Sequence, residues 1–254
     1  MRKVLVRRLI SGLLALLLVA GLVALVSRQP SATSAPAYTP IGPGEVYLAL
    51  GDSLAWGALL EDAATQSYPA LLHVRLSAIA PIELVNLAVP GETSGSFLRR
   101  QLPQALALIE RERDAGRRVS PITLDIGGND LQYAAAGTPA ERAAAIAEVG
   151  QNLEVILDEL QQVTGGEADI AVMTYYNPYG GDPTIAESEA YWVTQLNAVI
   201  RAASAERGMA VADTYAPFDG GNAYSYTHIL IGDIHATRQG HQVIAEQFWE
   251  ALEY

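Results

Sequence analysis

Ser53 and His235 are the residues of this chain best suited to covalent catalysis. Ser53 follows Gly51 and Asp52 just after an apolar run, and His235 stands two residues after Asp233. A serine hydroxyl is a weak nucleophile until a base removes its proton, and the pKa of histidine suits that task near neutral pH. The chain has no cysteine, which excludes a thiolate nucleophile. These residue types predict acyl transfer through a serine.

The other histidines are weaker candidates for the base. The chain has four histidines in all. His73 and His241 fall within predicted helices, where a structural role is the more common one. His228 lies in the same connection as His235 and competes with it, but no acidic residue stands close to it in the sequence.

Three hydrogen-bond donors could stabilise the negative charge that forms when a serine attacks a carbonyl group. They are the backbone N–H groups of Ser53 and Gly91 and the side-chain amide of Asn129. The loss of one such donor typically costs about 3–4 kcal/mol of transition-state stabilisation. Glycine at position 91 lets the backbone approach a substrate with no side chain in the way.

The elements that must position these residues alternate between short apolar runs and helical patterns. Nearly continuous apolar runs are typical of strands in a parallel sheet that is covered on both faces. The predicted strands cover residues 46–50, 82–89, 122–126, 170–174 and 209–212. The predicted helices lie near residues 68–79, 103–113, 138–163, 185–207 and 237–252. The alternation predicts an α/β fold, a three-layer α/β/α sandwich with a five-stranded, mainly parallel sheet.

The candidate residues follow the ends of these runs. Ser53 lies three residues past the first run, Gly91 follows the second and Asn129 follows the third. His235 precedes the last helical pattern. In an open parallel sheet, ligands bind outside the carboxyl ends of the strands, where the strand order reverses. We therefore expect all four residues at the same edge of the sheet.

Four blocks of the sequence resemble the conserved blocks of the GDSL, or SGNH, hydrolase family. They are Gly-Asp-Ser-Leu at 51–54, Asn-Leu-Ala-Val-Pro-Gly at 86–91, Gly-Gly-Asn-Asp at 127–130 and Asp-Ile-His at 233–235. The resemblance implies a flavodoxin-like SGNH fold and ester hydrolysis, with Ser53 as nucleophile and His235 as base. It implies an oxyanion hole made by Ser53, Gly91 and Asn129.

The same resemblance implies Asp233 as the acid that orients His235, although its position departs from the family's pattern. The family usually places the aspartate three residues before the histidine, where this chain has Gly232. Ala236 also replaces the proline that commonly follows the histidine. Two arrangements stay open at this point. A tighter turn brings the Asp233 carboxylate to the ring, or Asp233 points elsewhere and leaves a Ser–His dyad.

The N-terminus predicts export. Residues 1–8 are basic, and residues 9–26 form an uncharged apolar run. As a helix that run spans about 27 Å, close to the thickness of a hydrocarbon core. Residues 1–28 therefore predict a signal peptide or a single-pass membrane anchor, 29–44 a Pro/Ser-rich linker, and 45–254 the hydrolase domain. The domain is expected to be extracytoplasmic, either anchored to the membrane or secreted after cleavage.

The overall charge argues against one class of partner. The formal net charge is −12 at pH 7. Nucleic acids require a basic face for their phosphates, so the chain is not expected to bind them. The absence of cysteine also excludes disulfides and zinc sites built from cysteine clusters.

The predicted function is a serine ester hydrolase of the esterase, lipase or acylhydrolase type. Its expected substrates are small-molecule, lipid or glycan esters, and it requires no metal or organic cofactor. Tyr175, Tyr176 and Tyr226 are predicted to line the substrate cleft, and the connection 214–235 is long enough to form a wall or lid. Two alternatives stay open: an acyl or acetyl transferase or deacetylase acting on envelope glycans, and a non-catalytic exported binding module with the same fold.

Overall fold

Five short strands form one sheet in which every neighbouring pair is parallel. The strands are β1 (Val46–Gly51), β2 (Glu83–Asn86), β3 (Val119–Asp125), β4 (Ile170–Met173) and β5 (Ala210–Ala212). Their order in the sheet is β2-β1-β3-β4-β5. Every residue of β1 and β3 is buried, as expected for strands with both faces covered.

Helices cover both faces of this sheet. They are α1 (Ser53–Trp56), α2 (Ala63–Gln66), α3 (Tyr68–Ser77), α4 (Ser94–Arg99), α5 (Gln101–Asp114), α6 (Gly128–Tyr133), α7 (Pro139–Val163), α8 (Glu189–Glu206), α9 (Tyr215–Phe218), α10 (Ala223–Tyr226) and α11 (Arg238–Leu252). On one face α3 packs against α11, and on the other α5, α7 and α8 pack together. The α/β/α sandwich predicted from the sequence is confirmed.

This computed structural model describes residues 35–219 and 221–254. Residues 1–28, which the sequence predicts to be a signal peptide or an anchor, lie outside that range. Among the described residues, no helix is long and apolar enough to cross a membrane.

The segment before β1 is bound to the domain. The Tyr38 hydroxyl donates to the Asp169 carboxylate at 3.0 Å, and the N–H groups of Ile41 and Gly42 donate to the same carboxylate at 2.9 and 2.8 Å. The sequence assigned residues 29–44 to a linker. The described part of that segment has no helix or strand, yet from Pro36 onward it belongs to the compact unit Pro36–Tyr254.

Capping side chains set where the helices begin. Thr138 and Glu141 form a capping box, and α7 starts at Pro139. Helix α8 starts at Glu189 rather than at residue 185, because the Ser188 hydroxyl accepts the N–H of Tyr191 and caps the helix there. The connection 214–235 is not an open loop, since α9, α10 and a 3₁₀ turn (Ile229–Ile231) lie within it.

The strand order reverses between β1 and β3, because the chain passes from β1 to β2 on one side and then to β3 on the other. At the carboxyl ends of these strands Gly51 is paired with Asp125. A Cβ at position 51 would lie 2.3 Å from Oδ1 of Asp125, and Gly51 has a φ of +143°. Only glycine fits there, and the segments that carry Ser53 and Asn129 leave the sheet from this point.

His241 is a buried, structural residue of α11. Its Nδ1 accepts the backbone N–H of Tyr68 at 3.2 Å, and its Nε2 has no partner within the described part of the chain. Burial lowers the pKa of His241 to about 4. The ring is therefore neutral at physiological pH and lies in the core.

We predict that His241→Asn makes the protein less sensitive to acid. Between the unfolded pKa of 6.5 and the folded pKa of about 4, only the unfolded state takes up the proton. The contribution of neutral His241 to the free energy of unfolding is therefore complete above pH 6.5. It is lost as the pH falls, by about 2–3 kcal/mol between pH 7 and 4.5.

Denaturant unfolding of both proteins at these two pH values measures the effect. Asparagine keeps an acceptor near the position of Nδ1, so the variant should lose less stability on acidification than the wild type. An equal loss in both proteins would contradict the assignment.

Candidate active site

The backbone before Ser53 is clamped on both sides. Asp52 caps α1 by accepting the N–H of Leu54 at 2.9 Å, and Ser53 is the first residue of that helix. The side chain of Gln101 accepts the N–H of Gly51 at 2.7 Å and donates to its carbonyl at 2.9 Å. Gln101 begins α5 and carried no signal in the sequence, because this contact joins residues 50 positions apart. These bonds fix the direction in which the Ser53 hydroxyl points.

His235 joins Ser53 to Asp233 in one chain of hydrogen bonds. Nε2 of His235 lies 2.8 Å from Oγ of Ser53, and Nδ1 lies 2.7 Å from Oδ1 of Asp233. A carboxylate can only accept, so Nδ1 carries the ring hydrogen and Nε2 is free to accept the serine hydroxyl. The contacts are those of a Ser–His–Asp arrangement rather than a Ser–His dyad.

A tight turn allows Asp233 to reach a histidine only two residues away. Gly232 has a φ of +82°, and Oδ1 of Asp233 accepts the backbone N–H of His235 at 2.8 Å as well as the ring N–H. His228, the competing base, supports this turn with its main chain: its N–H donates to the His235 carbonyl at 2.9 Å. The structure brings His235, and not His228, to Ser53.

The Asp233 carboxylate is held in its charged form. Partial burial alone raises the pKa of Asp233, but the hydrogen bonds from the backbone and ring of His235 outweigh it and lower that pKa below the usual value. A charged carboxylate beside Nδ1 stabilises an imidazolium. His235 can therefore hold a proton taken from Ser53.

Gly91 lies at the corner of a turn that faces the same site. The N–H of Glu92 donates to the carbonyl of Val89 at 3.1 Å, with Pro90 and Gly91 between them. Proline at the second position and a glycine with positive φ at the third, here +77°, are typical of a type II turn. The turn presents the backbone of Gly91 to the cavity described below.

Asn129, near the start of α6, is held close to this turn by hydrogen bonds. Its Nδ2 donates to the carbonyl of Glu92 at 3.0 Å and to Oδ2 of Asp52 at 3.3 Å. The next residue, Asp130, accepts the N–H and the hydroxyl of Ser94 at 2.9 and 2.6 Å. These bonds tie the Gly91 turn and the Asn129 segment together.

Three donors therefore meet at one place. Ser53, Gly91 and Asn129 line the same cavity, and His235 borders it. Within residues 35–219 and 221–254, the backbone N–H groups of Ser53 and Gly91 do not donate to any protein acceptor. They are available to bind an anionic oxygen.

A buried pair of carboxyl groups lies behind the nucleophile. The N–H of Asp52 donates to Oδ2 of Asp125 at 3.2 Å, and the Tyr68 hydroxyl donates to Oδ1 at 2.6 Å. Asp52 itself accepts from Tyr175 at 2.9 Å, from Leu54 and from Asn129. Burial raises the pKa of both carboxyl groups, and that of Asp125 is further raised by its neighbour's charge. More donors face Asp52, so we assign the proton that the pair retains to Asp125.

The cavity beside Ser53 has a volume of about 330 Å³. Tyr175 and Tyr176 line it, and their hydroxyl groups donate to Asp52 and to the carbonyl of Ile234. Tyr226 is placed elsewhere: its ring packs edge-on against Phe218 at 5.3 Å. Sequence reasoning missed the apolar wall of the cavity, which comes from α6 and α8 and includes Leu131, Val193 and Leu196.

Solved structures with a similar fold include an acetylxylan esterase and two further proteins. One is Axe2, an acetylxylan esterase from Geobacillus stearothermophilus, with 20% identity and a TM-score of 0.66 over 85% of this chain and 97% of that one. TesA matches with 21% identity and a TM-score of 0.59 over 82% of this chain and 98% of that one. LAE5, an alpha/beta hydrolase enzyme from the metagenome of Lake Arreo, Spain, matches with 20% identity and a TM-score of 0.59, over 84% and 96%. At such identities the likeness shows the fold.

Sequence comparison shows the family. A search of curated proteins found no match. The family model of the GDSL-like lipase/acylhydrolases, however, matches residues 49–243, more than half of the chain. The matched range includes the segments that carry Ser53, Gly91, Asn129 and His235. The chain therefore belongs to the GDSL-like lipase/acylhydrolase family and is a carboxylic ester hydrolase.

Proposed function

We propose that this protein hydrolyses carboxylic esters through an acyl-enzyme formed on Ser53. The observation that carries the proposal is the unbroken series of contacts from Oγ of Ser53 to His235 at 2.8 Å and from His235 to Asp233 at 2.7 Å. A nucleophile, a base within hydrogen-bond reach and a group that orients the base are the parts that serine catalysis needs.

The reaction proceeds in two halves. Ser53 attacks the acyl carbon while Nε2 of His235 takes the hydroxyl proton, and the same nitrogen then returns that proton to the leaving alcohol. Water next attacks the acyl-enzyme, His235 accepts its proton, and the acid is released as Ser53 recovers its hydrogen. Asp233 stays ionised and stabilises the imidazolium in both halves.

The oxyanion of each tetrahedral intermediate is assigned to the N–H groups of Ser53 and Gly91 and the amide of Asn129. In the structure, the side-chain amide of Asn129 donates to the Glu92 carbonyl at 3.0 Å and to Asp52 at 3.3 Å. The bond to Asp52 is the longer and weaker of the two. If Asn129 releases it, Asp52 still accepts from the Leu54 N–H and the Tyr175 hydroxyl. An oxyanion can therefore replace Asp52 as the acceptor for Asn129.

Small-molecule or glycan esters are the proposed substrates. The structurally similar Axe2 is an acetylxylan esterase, which supports a glycan ester among the candidate substrates. Two features favour the alternative of a non-catalytic module, the displaced Asp233 and Ala236 in place of a proline, and the 2.7 Å contact between Asp233 and His235 argues against the first of them. The basic and apolar N-terminal residues support an exported enzyme, anchored or secreted.

We predict that Ser53→Ala abolishes covalent labelling by a fluorophosphonate probe. Turnover of a short-chain nitrophenyl ester should fall by about 10⁴-fold or more, because no other group can form the acyl-enzyme. The matched control is Ser77→Ala, an exposed serine at the end of α3, which should label and turn over like the wild type. Undiminished labelling of Ser53→Ala would refute the assignment.

Asp233→Asn tests the triad. The asparagine oxygen can still accept the backbone N–H of His235, so the turn is kept while the negative charge and the ring tautomer are lost. We expect kcat to fall by more than about 100-fold, since removal of this charge in a comparable triad costs about 10⁴-fold. The exposed Asp114→Asn serves as control. A loss of less than tenfold, alongside an inactive His235→Ala, would indicate a dyad.

Asn129→Ala tests the oxyanion hole. Because the donor acts mainly on the transition state, kcat should fall by about 10²–10³-fold with little change in KM. Asn222→Ala removes an exposed asparagine of the 214–235 connection and should leave both constants unchanged. A change confined to KM would show that Asn129 only binds substrate.

A further inference from the structure

The cavity beside Ser53 is chemically divided. Ser53, Asn129 and His235 supply polar groups at one end, and Leu131, Val193 and Leu196 supply aliphatic carbon on the wall formed by α6 and α8. Leu196 is fully buried, and Leu131 and Val193 are each 8% exposed. The apolar part is therefore a recess of the core and not a patch of surface.

The tyrosines of the cavity add to its apolar surface. The hydroxyl of Tyr175 already donates to Asp52, and that of Tyr176 to the carbonyl of Ile234. Their rings thus offer carbon to a ligand, while their polar atoms are engaged. The lining also includes the polar side chains of Gln132, Tyr179 and Glu189, and the carboxylate of Glu189 is already engaged by Arg142.

Two glycines at the start of α6 allow close packing beside the cavity. A Cβ at Gly128 would lie 2.5 Å from the Tyr175 ring, and one at Gly127 would lie 2.9 Å from Val149 and 3.3 Å from Leu196. The two glycines therefore allow α6 to begin close against the floor of the cavity, beside Asn129.

An ion pair contributes to the lining of the cavity. Glu189 lines the cavity, and its carboxylate accepts from Arg142 at 2.9 Å. Arg142 also donates to the carbonyl of Ala135, another residue of the cavity lining. An apolar chain that reached this rim would have to displace or pass charged groups, which is unfavourable.

We propose that this recess binds a linear aliphatic acyl chain of about six to ten carbons, so that medium-chain esters are the preferred substrates. The inference rests on the proposed reaction at Ser53. The whole cavity, including its catalytic end, has a volume of about 330 Å³, which at about 30 Å³ per heavy atom holds about ten atoms, close to an octanoyl group bound to Ser53. An acetyl group would leave most of the recess empty. Each buried methylene is worth about 0.8 kcal/mol, or about fourfold in kcat/KM.

The test is the hydrolysis of nitrophenyl esters of two, four, eight, twelve and sixteen carbons. The wild type should show a kcat/KM at least tenfold higher for octanoate than for acetate, with a decline at sixteen carbons. Val193→Phe fills the recess and should lower kcat/KM for octanoate more than for acetate, so that the octanoate-to-acetate ratio falls at least tenfold. Val155→Phe, the same change at an exposed position on α7, should leave the whole profile unchanged.

A second substitution keeps the inference testable if Val193→Phe fails to fold. Ala135→Phe lies at the half-buried rim and should also lower the octanoate-to-acetate ratio, even if Val193→Phe is inactive on every ester. A wild type that prefers acetate, or filled variants that lose acetate and octanoate equally, would overturn the inference while the reaction at Ser53 stood. A wild type that hydrolyses none of these esters would overturn both.

Discussion

The buried carboxylate of Asp52 connects segments that lie far apart in the sequence. It caps the helix that begins at Ser53, and it accepts hydrogen bonds from the Tyr175 hydroxyl and the Asn129 amide. One acceptor thus sets the direction of the nucleophile, the position of an oxyanion donor and one wall of the cavity. A charged group with several donors is a strong anchor in a low-dielectric interior, because moving any partner leaves the charge unpaired.

The closeness of Asp52 and Asp125 also explains why residue 51 is a glycine. Asp125 lies against Asp52 at the ends of β1 and β3, and only glycine at position 51 leaves room for it. Two adjacent buried carboxyl groups cannot both ionise, so Asp125 keeps a proton and Asp52 keeps the charge. Reaching this geometry requires the strand-order reversal between β1 and β3, which places the two strand ends side by side. In this way the topology of the sheet determines the electrostatics of the site.

Much of this could be predicted from the sequence, because apolar runs that end in glycine mark strand ends. The five strands and the positions of Ser53 and Asn129 at the edge of the sheet followed from that pattern. The role of Asp52 did not, because it depends on side chains more than 70 residues away. Asp125 could have been noticed in the sequence, because it is an acidic residue at the end of a mainly apolar strand. Nothing in the sequence near Gln101 indicates its contact with Gly51. The spacing of Asp233 could be interpreted only once the turn at Gly232 was seen.

The most direct test of the account is a crystal structure of the enzyme after reaction with an alkyl phosphonate. We predict a bond from Oγ of Ser53 to phosphorus, and a phosphoryl oxygen about 2.7–3.1 Å from the backbone nitrogens of Ser53 and Gly91 and from Nδ2 of Asn129. The amide should have left Asp52, and His235 should remain on Asp233. A phosphoryl oxygen that faces solvent, with Asn129 still bonded to Asp52, would contradict the account.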